Sequence, residues 1–347
     1  GIAINVLPMK KCGIFTLAND AVYDQLVALL NSIEKNIGTH LPVTIIPYND
    51  SLDKVRHEVD ARSNVSLFEK KSVLEKWDDF VNEVWQAHPR ARAPKRTRPG
   101  WYKGFVHRKF AAFEGDFERF IFFDADSLAM KPVDDVFQKL DEYDLVFNDW
   151  EHAKRRDIPE IIPQKLAEVV NCTVDELYPQ LHCDSFFGSK HGLINDETLA
   201  QLKHFLVHEN GIECVRDRCW WSSSGLFSLI TVKEGYSLFN FTQSANPQER
   251  TGNCADADPF VSIDGVLCNE EGLKPIHRIH YMNYSSIDFA RLSKGEVVDI
   301  RYSDTFLSYR FLKAPLDKPR ELKRAGSLKV FLRKLEKIIN KVQKVLN

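Results

Sequence analysis

The stretch RFIFFDADSLAMKPVDDVF, residues 119–137, limits what this chain can fold into more than any other. Phe120, Ile121, Phe122 and Phe123 form an unbroken apolar run. As a strand, such a run must be covered on both faces, which places it inside a sheet layered between helices. The remaining pattern supplies those layers. Residues 13–19, 42–48 and 65–68 read as strands before it, and 143–149 as the next strand after it. Between them, Val22, Tyr23, Leu26, Val27, Leu30 and Ile33 recur at helical spacing behind the N-cap candidates Asn19 and Asp20. Residues 72–86, 101–115 and 133–141 also read as helices. Strands alternating with helices predict an α/β domain with a mainly parallel sheet. Beyond residue 150 the pattern weakens. Helices are expected near 162–170, 196–209 and 222–232, short strands near 185–189, 236–242 and 276–282, and a long loop over 243–275.

The apolar run ends in Asp124 and Asp126, one residue apart. On parallel sheets ligands bind at the carboxyl ends of strands, which is where these acids fall. If the chain stays extended past Phe123, both carboxylates face one spot and need a counter-charge. Hard carboxylate oxygens suit Mn²⁺ or Mg²⁺, ions that commonly bridge protein to phosphates. The alternative is a strand-end turn carrying two solvated acids. A second Asp-x-Asp, Asp256 and Asp258, has no apolar strand leading into it and is not expected to bind metal.

The segment HRKFAAFEGDFERFIFFDADSLAMKPVDDVF resembles the retaining glycosyltransferases of GT-A fold, family 8: glycogenin-like enzymes and bacterial lipopolysaccharide galactosyl- and glucosyltransferases. A basic helix, an apolar strand, Asp-x-Asp and a Pro-led acidic helix come in that family's order. The resemblance implies a GT-A, Rossmann-like fold and a metal-dependent hexosyltransferase using a UDP-sugar. Asp124 and Asp126, with Ala125 between them, would hold the metal on the donor diphosphate. A His-Tyr pair supplies the third ligand in that family, and KPIHRIHYMNYSS offers His280–Tyr281; a satisfied strand-edge histidine is the other reading.

The resemblance also assigns donor contacts. Thr16, Leu17, Ala18 and Asn19 would meet the base, with Tyr23 either stacked on it or part of the core; Asp50 is a candidate acceptor for a base N–H. Arg108 and Lys109 would face the phosphates or the sugar. Asn148, Asp149, Asp184 and Ser185 fall where donor-sugar contacts are made, and Asp149 and Asp184 join Asp124 and Asp126 as catalytic candidates. Asp184 is the runner-up for a participating carboxylate; front-face attack with retention is the expected course. The chain departs from the family in two places. It reads DRCWWSSSGLF where the family has Asp-Gln, and it lacks the Lys-Pro-Trp that follows His-Tyr. Lys294, Arg291 or the basic loop could replace that lysine. The acceptor would be a glycan, a glycolipid or a small molecule. Two other classes are open: a non-catalytic sugar-nucleotide or membrane-binding relative, and a sugar nucleotidyltransferase, whose Gly-rich, Arg- and Lys-bearing first loop is missing from FTLAND.

Composition bounds the rest. At 347 residues and 44% hydrophobic, the chain can build a large core. Two units are expected: 1–290 as catalytic domain and 291–347 as a C-terminal extension. The net charge of −2 is unevenly spread, because residues 318–347 hold ten Lys/Arg against two Glu. There, Leu328, Phe331, Leu335, Ile338, Val342 and Val345 recur at spacings of three and four with lysines on the other face. This basic amphipathic helix fits a membrane surface, packing onto the domain, or the seam of a homodimer. Residues 86–100, rich in Pro and Arg, read as a loop, either simply solvated or a flap over an anionic ligand. Seven cysteines at irregular spacing, without a CxxC pair, fit a reducing compartment. No apolar run approaches the ~18 residues of a membrane span. The N-terminus carries no signal-peptide pattern, and Gly1 suggests a trimmed start. A cytoplasmic protein, peripheral at the inner membrane surface if the tail binds lipid, is expected, with no nucleic-acid partner.

Overall fold

The computed structural model describes residues 10–92, 104–149, 158–216, 222–270 and 273–346. Most of loop 86–100, and Trp221 in the departing segment, lie outside them. The chain opens with β1 (Lys10–Ala18), α1 (Tyr23–Asn36), β2 (Val43–Pro47), α2 (Asp53–Ala61), β3 (Val65–Leu67) and α3 (Lys71–Gln86). There follow β4 (Phe117–Phe123), β5 (Ser127–Ala129), α4 (Asp134–Lys139), β6 (Leu145–Phe147), α5 (Pro163–Val169), α6 (Val174–Leu177), β7 (Phe186–Lys190) and α7 (Asp196–His208). The last elements are α8 (Ser223–Glu234), β8 (Leu238–Asn240), the hairpin β9 (Phe260–Ile263) and β10 (Val266–Asn269), β11 (Arg278–His280), α9 (Ser286–Ser293), α10 (Ser303–Arg310) and α11 (Ser327–Leu346).

Seven strands form one sheet in the order β3-β2-β1-β4-β7-β6-β8. β1 to β4 and β8 pair in parallel, and only β7 runs against its neighbours β4 and β6. This is the mainly parallel, helix-flanked GT-A arrangement expected from the sequence. Phe120 to Phe123 are all fully buried at its centre. Their alternation splits them between two cores, Phe120 and Phe122 packing on one face with Phe113, Phe187 and Phe227, Ile121 and Phe123 on the other with Ile14, Val136 and Phe186.

Three local expectations change. Residues 101–115 contain a 3₁₀ stretch, Val106–Glu114, rather than an α-helix; the spacing of Phe110 and Phe113 is compatible with either winding. The expected loop over 243–275 contains the β9–β10 hairpin, turned at Asp264 and Gly265, both at positive φ. The chain also does not stay extended after Phe123: it turns, the Ser127 N–H donating to the Asp124 carbonyl at 3.1 Å, and β5 starts at once.

The chain beyond 280 is anchored to the sheet-bearing part. Phe289, Leu292, Phe306, Leu307 and Tyr309 share a buried cluster with Leu128, Met130 and Ile279. From α1, Asn31 donates to the Tyr309 carbonyl at 2.8 Å and Asn36 to the Tyr309 hydroxyl at 2.9 Å.

Candidate active site

The turn after β4 brings Asp124 and Asp126 together. β5 then pairs antiparallel with β11, setting Ser127 opposite His280. The Tyr281 N–H closes the join on the Asp126 carbonyl at 2.9 Å. His280 Nε2 thereby stands 3.1 Å from Asp126 and 3.8 Å from Asp124. One ligand atom from each of Asp124, Asp126 and His280 lies within 4.8 Å of the others. Two carboxylates and an imidazole make a donor set that could hold a divalent cation. Asp124 carries the strain of this crowding. Burial pushes its carboxyl above the ordinary range and the charges of Asp126 and Asp184 add to that, with Lys109 opposing. Burial also pushes Asp126 up, but His280 and Arg278 outweigh it and hold the group low.

Lys109 reaches the same spot from the 3₁₀ stretch. Its buried ammonium lies 3.0 Å from an Asp124 oxygen and 3.2 Å from an Asp184 oxygen. Burial alone would lower its pKa, yet the two acids raise it, so it stays charged. Asp184 stands just before β7, where the Asp124 N–H donates to the Ser185 carbonyl at 2.9 Å. Its other oxygen accepts from Ser224 at 2.9 Å in the first turn of α8. Burial raises Asp184, but Lys109 and the hydroxyls of Ser223 and Ser224 bring it below the ordinary value. A cavity of about 240 Å³ opens here, with Asp124, Asp126, Asp184, Ser185, Ser224 and His280 in its wall.

The other expected site residues divide. Thr16 and Ala18 are buried at the end of β1, and Leu17 is half-buried beside them. Asn19 caps the turn after β1 and donates to Asn49 at 3.3 Å, tying the ends of β1 and β2. Tyr23 donates to Glu58 at 2.9 Å, with the Lys54 and Arg310 charges 5.5 and 5.4 Å from its ring centre. Asp50 is exposed. Arg108 points elsewhere than Lys109, paired with Asp78 at 2.7 Å and donating to the Tyr48 carbonyl at 3.3 Å. Asn148 is fully buried and donates to the Thr251 carbonyl at 3.3 Å. Asp149 accepts from the Cys183 N–H and the Asn240 side chain, so it braces β6 against its neighbours. In the second Asp-x-Asp, Asp258 accepts from the N–H groups of Asn253 and Cys254, both at 3.0 Å, and Asp256 accepts from Asn283 at 2.7 Å. Asp258 thus closes a local turn, while Asp256 reaches a residue 27 positions along the chain.

Sequence reasoning missed Arg278. It is fully buried, over the Phe186 ring, and donates to the Asn148 carbonyl at 2.7 Å and the Ser185 hydroxyl at 2.8 Å. The signal was present: Arg278 and His280 are two apart on one strand and so share a face. Asn253 and Cys254, from the segment read as loop, and Met282 and Asn283, just after His280, also line the cavity.

The model of a family described as "Mannosyltransferase putative" matches residues 11–187, just over half of the chain. The chain belongs to that family. No curated protein matches the sequence. Among solved structures, the bifunctional glycosyltransferase WbbM is 15% identical, with 91% of this chain and 53% of that one covered and a TM-score of 0.49. The present chain thus spans about half of WbbM. The galactosyltransferase LgtC, solved with donor and acceptor sugar analogues, is 10% identical over 91% of this chain and 98% of its own, with a TM-score of 0.48. The mannosyltransferase Ktr4p from S. cerevisiae, solved with GDP, is 12% identical over 64% and 66%, with a TM-score of 0.39. The family match thus covers β1 to the start of β7, including both aspartates, and ends before His280.

Proposed function

We propose that this protein is a metal-dependent glycosyltransferase that moves a hexose from a nucleoside-diphosphate sugar to a hydroxyl of a glycan, glycolipid or small-molecule acceptor. The observation that carries the reading is the convergence of Asp124, Asp126 and His280 at the end of the central strand, with Lys109 beside them. The family description favours mannose as the hexose, and the resemblance to family 8 favours UDP as the carrier. A divalent ion held by these ligands would supply Lewis-acid stabilisation of the departing diphosphate.

The chain's own groups do the rest. Lys109 pairs with Asp124 and Asp184 and holds both carboxyls in the cavity wall. Asp184, Ser185 and Ser224 present hydrogen-bonding groups to sugar hydroxyls. Asp184 has one oxygen on Ser224 and the other against Lys109, and Asp149 is taken by Cys183 and Asn240. Carboxylates so engaged are poor nucleophiles, which favours front-face attack with retention over a covalent glycosyl-enzyme. Asn19, Thr16 and Asp50 at the ends of β1 and β2 are the proposed contacts for the base.

Calorimetry with UDP and GDP, with and without Mn²⁺, tests the reading. Binding that requires the metal, and is lost in Asp126→Asn, is expected. Metal-independent binding, or none to either nucleotide, would exclude it. Hydrolysis of a panel of UDP- and GDP-hexoses then names the donor.

A further inference from the structure

α11 has no buried residue along its length from Ser327 to Leu346. Leu328, Phe331, Leu335, Ile338, Val342 and Val345 are all exposed, Leu328 by 71% and Ile338 by 58%. Leu332, Ile339 and Leu346 widen the stripe to about 140° at 3.6 residues per turn. On the opposite face stand Lys329, Arg333, Lys334, Lys337, Lys341 and Lys344, with Glu336 the one acid in the helix. The helix is held to the domain by its polar side: Arg333 pairs with Glu296 at 2.7 Å and Lys329 lies 3.8 Å from it. Arg333 and Arg291 together hold the Glu296 carboxyl well below its ordinary range. The docking contact thus uses the cationic edge near the start of the helix and leaves the apolar stripe uncovered.

We propose that α11 lies on an anionic lipid bilayer, its apolar stripe sunk among the acyl chains and its lysines at the headgroup phosphates. Two features favour lipid over a second copy. The stripe is wider than a two-residue-per-heptad seam needs. The flanking face is almost wholly cationic, so two such helices would repel along their edges, whereas an anionic surface complements them. Lys334, Lys337, Lys341 and Lys344 are the cations beyond the Glu296 contact. The reading does not depend on the proposed reaction.

Flotation of the whole chain with phosphatidylcholine vesicles, alone or mixed with phosphatidylglycerol, tests it. Binding to the mixed vesicles, weakening with salt, is expected. Leu335→Glu with Ile338→Glu should abolish it without moving the thermal unfolding midpoint, since both side chains are exposed. Replacing Lys334, Lys337, Lys341 and Lys344 by Gln should weaken it roughly a hundredfold or more. Equal binding to neutral vesicles would overturn the proposal. So would a salt-insensitive dimer in sedimentation that leaves both vesicle types unbound.

Discussion

Lys109 is the residue on which the candidate site balances. Its buried ammonium meets Asp124 at 3.0 Å and Asp184 at 3.2 Å. Removing one partner of a buried pair leaves an uncompensated charge, at a cost of about 3–5 kcal/mol. Lys109→Met should therefore destabilise the fold by that order in urea denaturation, whereas Asp50→Ala, at an exposed position, should not. The pair Asp135 and His277 makes a different prediction. His277 Nε2 lies 2.7 Å from Asp135, and although burial pushes that acid up, His277 and Lys131 bring it down to about 2. A carboxyl depressed in the folded state stabilises above its unfolded value, about 3.9, and loses that contribution as the pH falls toward 2. Asp135→Asn should flatten the acid limb of stability between those limits, as read by denaturation at successive pH values. At this scale the sequence carried the Asp-x-Asp acids and His280, because a strand-end position and a His-Tyr pair are local patterns. It did not carry the Asp184–Ser224 contact, since nothing local relates residues forty apart.

A residue pattern marks best the elements whose apolar residues run unbroken or recur at helical spacing, because neighbours cover them on most sides. β4 and α1 are of this kind. The hairpin β9–β10 was missed: Asp264–Gly265 is a two-residue turn signal between short β-rich runs, but the surrounding polar residues obscured it. The 3₁₀ winding of 106–114 was not legible, because apolar residues three apart satisfy both helix types. α8 matters most for the site, since its first turn carries Ser224. Ser222 caps it, accepting from the Gly225 N–H at 3.0 Å. Ser222→Ala should cost about 1 kcal/mol of stability. It should also loosen Ser224 from Asp184, raising KM for the sugar donor more than it lowers kcat.

Across the whole molecule, the site closes only when distant parts of the chain dock. The family match ends at residue 187, yet the third candidate ligand, His280, sits on β11, held by β5, by the Asn253 carbonyl that accepts its N–H and by the Ala255 N–H that donates to its carbonyl. β11 is backed in turn by α9 and α10, which pack with Tyr281 against Leu128 and Met130. Metal binding should therefore report on the folding of the entire chain rather than of the matched half. A ligand that binds only the folded state stabilises it by about 2.7 kcal/mol at a hundred times its Kd. Mn²⁺ with the nucleotide should raise the unfolding free energy by that order, in a single transition that includes the segment beyond 280. His280→Ala should remove most of the gain. It should also cost metal-free stability, since the imidazole is buried and its loss leaves the Asp126 carboxylate without the partner it meets at 3.1 Å. Two separate transitions, with the metal shifting only the first, would instead mean that the matched half folds and binds alone.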